Sequence, residues 1–174
     1  DLGGKQLEIL YAPGHAPHHM GMFDRETRAL FPGDVAMVHA PGAVRGHHDI
    51  RPPYFDVEKF IETVHRYQAL KPSVLLTFAN PGGANFSPDK TLRWAEEDHL
   101  AIERICRESM KRKLGFKEIV RKVDEYESAV GVGSTGERGA EFSSGGIAGM
   151  LAYIGRKDPS LEMPQDFTRK MRGG

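Results

Sequence analysis

The sequence predicts an α/β layered domain. Three observations predict it. Short β-hairpin patterns fill the first third of the chain. An amphipathic helix, a buried apolar strand and a second long helix then follow in order, and the remainder is helical and charged. No internal repeat breaks that order.

The first strand is expected over Gln6–Tyr11, where Leu7, Ile9 and Tyr11 alternate with their neighbours after a Leu2-Gly3-Gly4-Lys5 turn. His18–Asp24 and Arg28–Phe31 form a hairpin that turns at Asp24–Thr27. Val38–Pro53 holds three Pro, two Gly and three His and reads as a long loop, a kind of segment that often carries function. Asp56 is the N-cap of a helix from Val57 to Leu70, with Val57, Phe60, Ile61 and Val64 as its apolar stripe. Pro72 stops that helix, and Ser73–Phe78 is a buried strand by composition. After the loop Ala79–Ser87, Pro88 opens a long helix to Lys113 whose inner stripe is Leu92, Ala95, His99, Ile102 and Cys106. Phe116–Val130 is a further helix, residues 131–146 read as a Gly/Ser-rich loop, and Ile147–Ile154 as a short terminal helix before a polar, frayed tail from Arg156.

Composition narrows the function classes. The 174 residues carry 24 Lys+Arg against 24 Asp+Glu, so no general field attracts phosphate backbones or anionic lipid, and nucleic acid is not the expected partner. One cysteine, Cys106, excludes an internal disulfide and a thiolate zinc knuckle within the chain; on a helix's inner stripe it reads as a small hydrophobe. No apolar run approaches the ~20 residues that span a bilayer. No signal peptide is visible, and the chain is expected to be soluble and cytoplasmic.

The chemistry concentrates in Pro13-Gly14-His15-Ala16-Pro17-His18-His19, followed by Pro32-Gly33-Asp34. Three His within five positions sit on a Pro/Gly-stiffened turn just after a strand, and Asp34 closes the next hairpin strand in the same way. Such turns suit metal ligands because the geometry is set before the ion arrives. Imidazole nitrogen with carboxylate oxygen suits Zn²⁺, Fe or Mn²⁺. One His and one Asp are too few for a hydrolytic zinc, which takes about three protein ligands and a water.

These residues, with Leu2-Gly3-Gly4, Leu7-Glu8-Ile9-Leu10, Leu30-Phe31 and Pro52-Pro53-Tyr54-Phe55-Asp56, resemble the second half of the metallo-β-lactamase superfamily of hydrolases over roughly residues 1–112. The resemblance implies the second half of a four-layer αββα sandwich with a dinuclear metal site at one edge of the sheets, residues 113–174 being a C-terminal helical extension. It implies that His15 ligates the first metal and that Asp34 bridges both, which makes these two the catalytic and metal-binding residues, with one or two zinc ions, or Fe or Mn, as cofactor.

Two departures stand out. The superfamily's His-x-His-x-Asp-His string occurs nowhere in the chain, and Phe78 stands where its last His ligand would end the strand. Asn80 or a His from elsewhere replaces that ligand, or the second metal is weak or absent. His18, His19, Asn80, His47 and His48 are the candidates for groups that touch ligands or substrate. His39 shares the long loop with His47 and His48, whose other reading is a solvent-exposed segment. His99 reads as a core histidine and His65 as a surface one. Gly131–Gly136 matches G-x-G-x-x-G, but it follows a helix and opens none, so it reads as a loop.

The expected function is metal-dependent hydrolysis of an ester, lactone, thioester or phosphoester by metal-activated hydroxide, once the first half of the fold is present as an upstream segment or a separate chain. The expected partners are that half and a small-molecule substrate, with no nucleic acid and no membrane; a homo-oligomeric contact is also open. The rival is a non-catalytic binding or assembly module that kept the fold and lost full metal binding. An isolated half is expected to expose the inner face of its sheet.

Overall fold

A computed structural model describes residues 3–36, 50, 54–77, 83–131 and 137–167, with the backbone alone at 137–143. The chain divides into two compact units. One comprises residues 1–44 and 56–97, the other residues 45–55 and 98–174.

The first unit is built on a five-stranded sheet in the order β1-β2-β3-β4-β5. Strands β1 (Leu7–Tyr11), β2 (Met20–Asp24) and β3 (Ala29–Phe31) form an antiparallel meander. The β2–β3 turn is organised by the Asp24 carboxylate, which accepts from the Glu26 N–H at 2.9 Å and the Thr27 hydroxyl at 2.7 Å. Those bonds, the Thr27 hydroxyl foremost, hold its carboxyl below the usual range. Strand β4 (Val74–Leu76) runs parallel to β3, so the chain must cross over, and helix α1 (Val57–Ala69) is the crossover. Asp56 caps α1, accepting from the Lys59 N–H at 3.1 Å. Its buried face is Val57, Phe60, Thr63, Val64 and Tyr67. Thr63 and Tyr67 thus join the expected stripe, while Ile61 stays half-buried.

Register divides the sheet into two unlike faces. Phe23 pairs with Leu30 and Leu30 with Leu75, and all three are buried. Gly21, on that same face, lies under Tyr67: an added Cβ would come 2.2 Å from the phenol oxygen, so α1 packs there. The opposite face carries the cross-strand pairs Ile9–Met22 and Tyr11–Met20, with Ile9, Tyr11 and Met20 57–61% exposed.

Strand β5 (Ala84–Asn85) pairs antiparallel with β4 inside the segment expected to be a loop. Two residues carry no periodicity to read. The strand is held by the Thr77 N–H donating to the Gly83 carbonyl at 3.0 Å and by Asn85, which is buried and donates to the Thr91 hydroxyl at 2.6 Å.

Helix α2 (Pro88–Lys111) buries all five residues of the expected stripe, and the division between the units falls within it. In the second unit, His99 is buried and stacks on Phe55, ring centroids 5.8 Å apart. Burial pushes the Cys106 thiol up to about 12, so it behaves as a small hydrophobe. Helix α3 (Phe116–Val130) follows, and Gly131 at φ +80° ends it by donating its N–H to the Glu127 carbonyl. Helix α4 spans Glu137–Lys157, so most of the stretch expected to be a Gly/Ser-rich loop is helical. Burial of Ile147, Met150, Leu151, Tyr153 and Ile154 overrides the weak helix propensity of Gly and Ser.

The polar tail is pinned rather than frayed as far as Phe167. Gly115 gives α3 no side-chain cap, and Asp166 supplies one from across the chain, accepting from the Phe116 N–H at 2.6 Å. Phe167 packs edge-on against Phe116 at 5.5 Å. No helix among the described residues is long and apolar enough to cross a membrane.

Candidate metal centre

Two Pro-Gly turns build the site. The first, Ala12–His19, leaves β1 and returns into β2. It is closed by the Ala12 N–H donating to the His19 carbonyl at 2.9 Å and the Tyr11 hydroxyl donating to the Pro17 carbonyl at 2.8 Å. Gly14 has φ +129°, and an added Cβ would sit 2.3 Å from the Phe60 Cα. Only glycine lets the turn lie directly against α1. The helix holds it there, the Asp56 N–H donating to the Gly14 carbonyl at 2.9 Å and the Thr63 hydroxyl to the Pro13 carbonyl at 2.8 Å. His15 is buried in consequence.

The second turn, Pro32–Ala36, ends β3. Gly33 has φ +65°, and its missing Cβ makes room for the His19 ring, whose Nε2 would otherwise lie 2.4 Å from it. The Tyr67 hydroxyl donates to the Pro32 carbonyl at 3.3 Å, and burial raises that phenol's pKa. Val35 and Ala36 are buried, which anchors the far side of the turn.

Together these turns bring His15 Nε2 to 3.2 Å from Asp34 Oδ2. The imidazole is 9% exposed and the carboxylate 41%, so the pair stands at the surface on a buried base. His19 touches both partners. Its ring meets the His15 ring edge-on at 5.4 Å, its Nε2 lies 2.9 Å from the Asp34 backbone nitrogen, and its Nδ1 lies 2.9 Å from the Ala12 carbonyl. His18 is exposed. His47, His48 and Asn80 lie outside the described residues, as do His39 and Phe78. His65 is on the surface beside Glu96, at 2.9 Å.

The donor set fits part of an ion's shell. Two donors sharing one tetrahedral ion at about 2.1 Å stand about 3.4 Å apart, close to the 3.2 Å seen here. Among the described residues no group of three or more His, Cys, Asp or Glu converges to complete a shell. His15 and Asp34 are thus spaced as two ligands of one ion would be. The supporting roles of Thr63, Tyr67 and the His19 ring had no signal in spacing. The repeated Pro-Gly before His15 and before Asp34 was the one legible sign of both turns.

Comparison with known proteins bears on the fold. The chain is 32% identical over 124 residues to a metallo-β-lactamase fold-containing protein of Sulfurisphaera tokodaii, a match covering 71% of this chain and 39% of that protein. Among solved structures it resembles a metallo-β-lactamase family protein of Thermus thermophilus, with TM-score 0.61 and 18% identity over 90% of this chain and 46% of the other. It also resembles a double mutant of the sec-alkyl sulfatase PisA1, with TM-score 0.55 and 18% identity over 97% of this chain and 28% of that one. No protein-family profile matches the chain. The chain thus spans about two fifths of the length of the curated relative that it matches.

Proposed function

We propose that the chain, which has a metallo-β-lactamase-like fold and matches part of its relatives' length, carries the second half of a metal-dependent hydrolase centre, with His15 and Asp34 as two of the ligands. The observation that carries this reading is the 3.2 Å approach of His15 Nε2 to Asp34 Oδ2 on two stiffened turns. A divalent ion bound there, Zn²⁺ foremost with Fe or Mn²⁺ suited to the same donors, supplies Lewis acidity and lowers the pKa of water toward about 7. His15 presents its Nε2 from a buried turn that α1 holds rigid. Asp34 presents a carboxylate that solvent and a small substrate can reach. The substrate class is an ester, lactone, thioester or phosphoester.

The other ligands belong to the first half of the fold, upstream in the same polypeptide or on a separate chain. The exposed apolar face around Ile9, Tyr11 and Met20 supports that partner, since a second sheet packed about 10 Å above would bury it. The rival is a binding or assembly module without catalysis. Phe78 favours it, because a phenyl ring at the last ligand position holds no metal.

Metal analysis with native and denaturing intact mass tests the assignment. A co-purifying chain with the His-x-His-x-Asp-His string, and one or two metals per pair, is the expected result. His15→Ala and Asp34→Ala should each weaken metal binding by at least about tenfold. Full metal occupancy in either variant removes that residue from the centre. A loaded pair that turns over none of the four substrate classes leaves the binding module as the better reading.

A further inference from the structure

We infer that His19 is the positioning residue of this centre: its two ring nitrogens lock the turn bearing His15 to the turn bearing Asp34, as a neutral imidazole with its proton on Nδ1. The service to the metal rests on the function proposed above; the lock itself does not.

The tautomer follows from what each neighbour can do. The Asp34 backbone N–H can only donate, so the Nε2 lying 2.9 Å away accepts and carries no proton. The Ala12 carbonyl can only accept, so the Nδ1 lying 2.9 Å away donates. Two main-chain groups from different turns thus select one form of the ring. The His19 backbone adds a third tie, its carbonyl accepting from the Ala12 N–H and closing the turn that holds His15. With both nitrogens committed, His19 is no ligand to an ion. It fixes the backbone from which the Asp34 carboxylate pivots, 3.2 Å from the His15 nitrogen.

Gly33 shows that the fit is specific. A Cβ there would lie 2.4 Å from Nε2 and 2.6 Å from Cε1, so the residue preceding Asp34 leaves the space that the ring occupies. The His15 ring, edge-on at 5.4 Å, stands against the remaining side.

Two half-replacements separate positioning from plain stability. In His19→Gln the side-chain oxygen reaches the place of Nε2 and keeps the Asp34 bond. In His19→Asn the amide nitrogen takes the place of Nδ1 and keeps the Ala12 bond. Each loses one hydrogen bond, so a merely structural role ranks them alike. Positioning ranks them apart: hydrogen exchange at the Asp34 amide should be about tenfold faster in His19→Asn and near wild type in His19→Gln. The zinc dissociation constant should rise about 10–100-fold in His19→Asn and no more than about threefold in His19→Gln. Ring ¹⁵N shifts of the metal-free chain should show a protonated Nδ1 and a bare Nε2.

A protonated Nε2, or equal Asp34 exchange in the two variants, overturns the lock. Equal zinc affinity in the two overturns its service to the metal. If the exchange and ring shifts come out as expected while the wild-type chain and its complex take up no zinc, the lock stands and the proposed metal centre falls.

Discussion

At the scale of single residues, the two turns Pro13-Gly14-His15 and Pro32-Gly33-Asp34 share one logic and differ in what surrounds them. Both glycines have positive φ and neither leaves room for a Cβ. At Gly14 the obstacle is the Phe60 backbone, which cannot move without α1; at Gly33 the nearest atoms belong to the His19 ring, a side chain that gives way by releasing its bonds to the Asp34 N–H and the Ala12 carbonyl. Gly33→Ala should therefore cost about 1–3 kcal/mol, the order of a left-handed non-glycine. Gly14→Ala should cost more, because the helix must shift as well, and urea unfolding of the two variants measures the order. Equal losses would mean that α1 does not hold the first turn. His15 and Asp34 could be picked out from the chain because their chemistry is written in residue type and in the repeated Pro-Gly. The role of His19 could not, because it depends on the β2–β3 register that carries the ring beside the Asp34 amide. Sequence left His18 and His19 interchangeable; the structure separates them, one exposed and one bonded at both nitrogens.

At the scale of elements, long periodic segments were legible and short or glycine-rich ones were not. The α2 stripe from Leu92 to Cys106 could be read because 24 residues of helix repeat the same pattern. Strand β5 is two residues long and exists through partners distant in sequence. The first half of α4 reads as loop by propensity and is helix in the folded chain. The Asp166 cap of α3 is invisible locally, because the capping side chain lies 50 positions from the amide it serves. That bond to the Phe116 N–H is the main cause that holds the Asp166 carboxyl below its ordinary value of 3.8. A lowered carboxylate pKa adds stability that is present in full above the ordinary value and lost as pH falls through the folded one. Asp166→Ala should thus destabilise the second unit by about 1 kcal/mol near neutrality. The gap to wild type should stay constant down to about pH 5 and narrow below 3.8. Thermal melts at pH 7 and pH 3 measure it, and a gap that widens in acid would exclude the carboxylate as the cap.

At the scale of the whole molecule, the sheet has one finished face and one unfinished. Phe23, Leu30 and Leu75 are buried, whereas Ile9, Tyr11 and Met20 stand more than half exposed on the other side. Kept as a separate polypeptide, the chain should self-associate through that face. Ile9→Lys combined with Met20→Lys should shift it toward monomer in sedimentation velocity. A wild-type chain that stays monomeric at high micromolar concentration would show that the face needs no cover.

The parallel seam between β3 and β4 bears on the time of folding as well as on its strength. The meander β1-β2-β3 closes through short turns, so His15 and Asp34 meet within the most local part of the chain. Leu30 and Leu75, by contrast, sit 45 positions apart and pair only after the α1 crossover has swung into place. Pairing across so long a loop pays its closure entropy before any contact rewards it, so the seam should be the slow event of folding. The two Pro-Gly turns should thus form early, and the helix that stiffens them later, with the strand that completes the core.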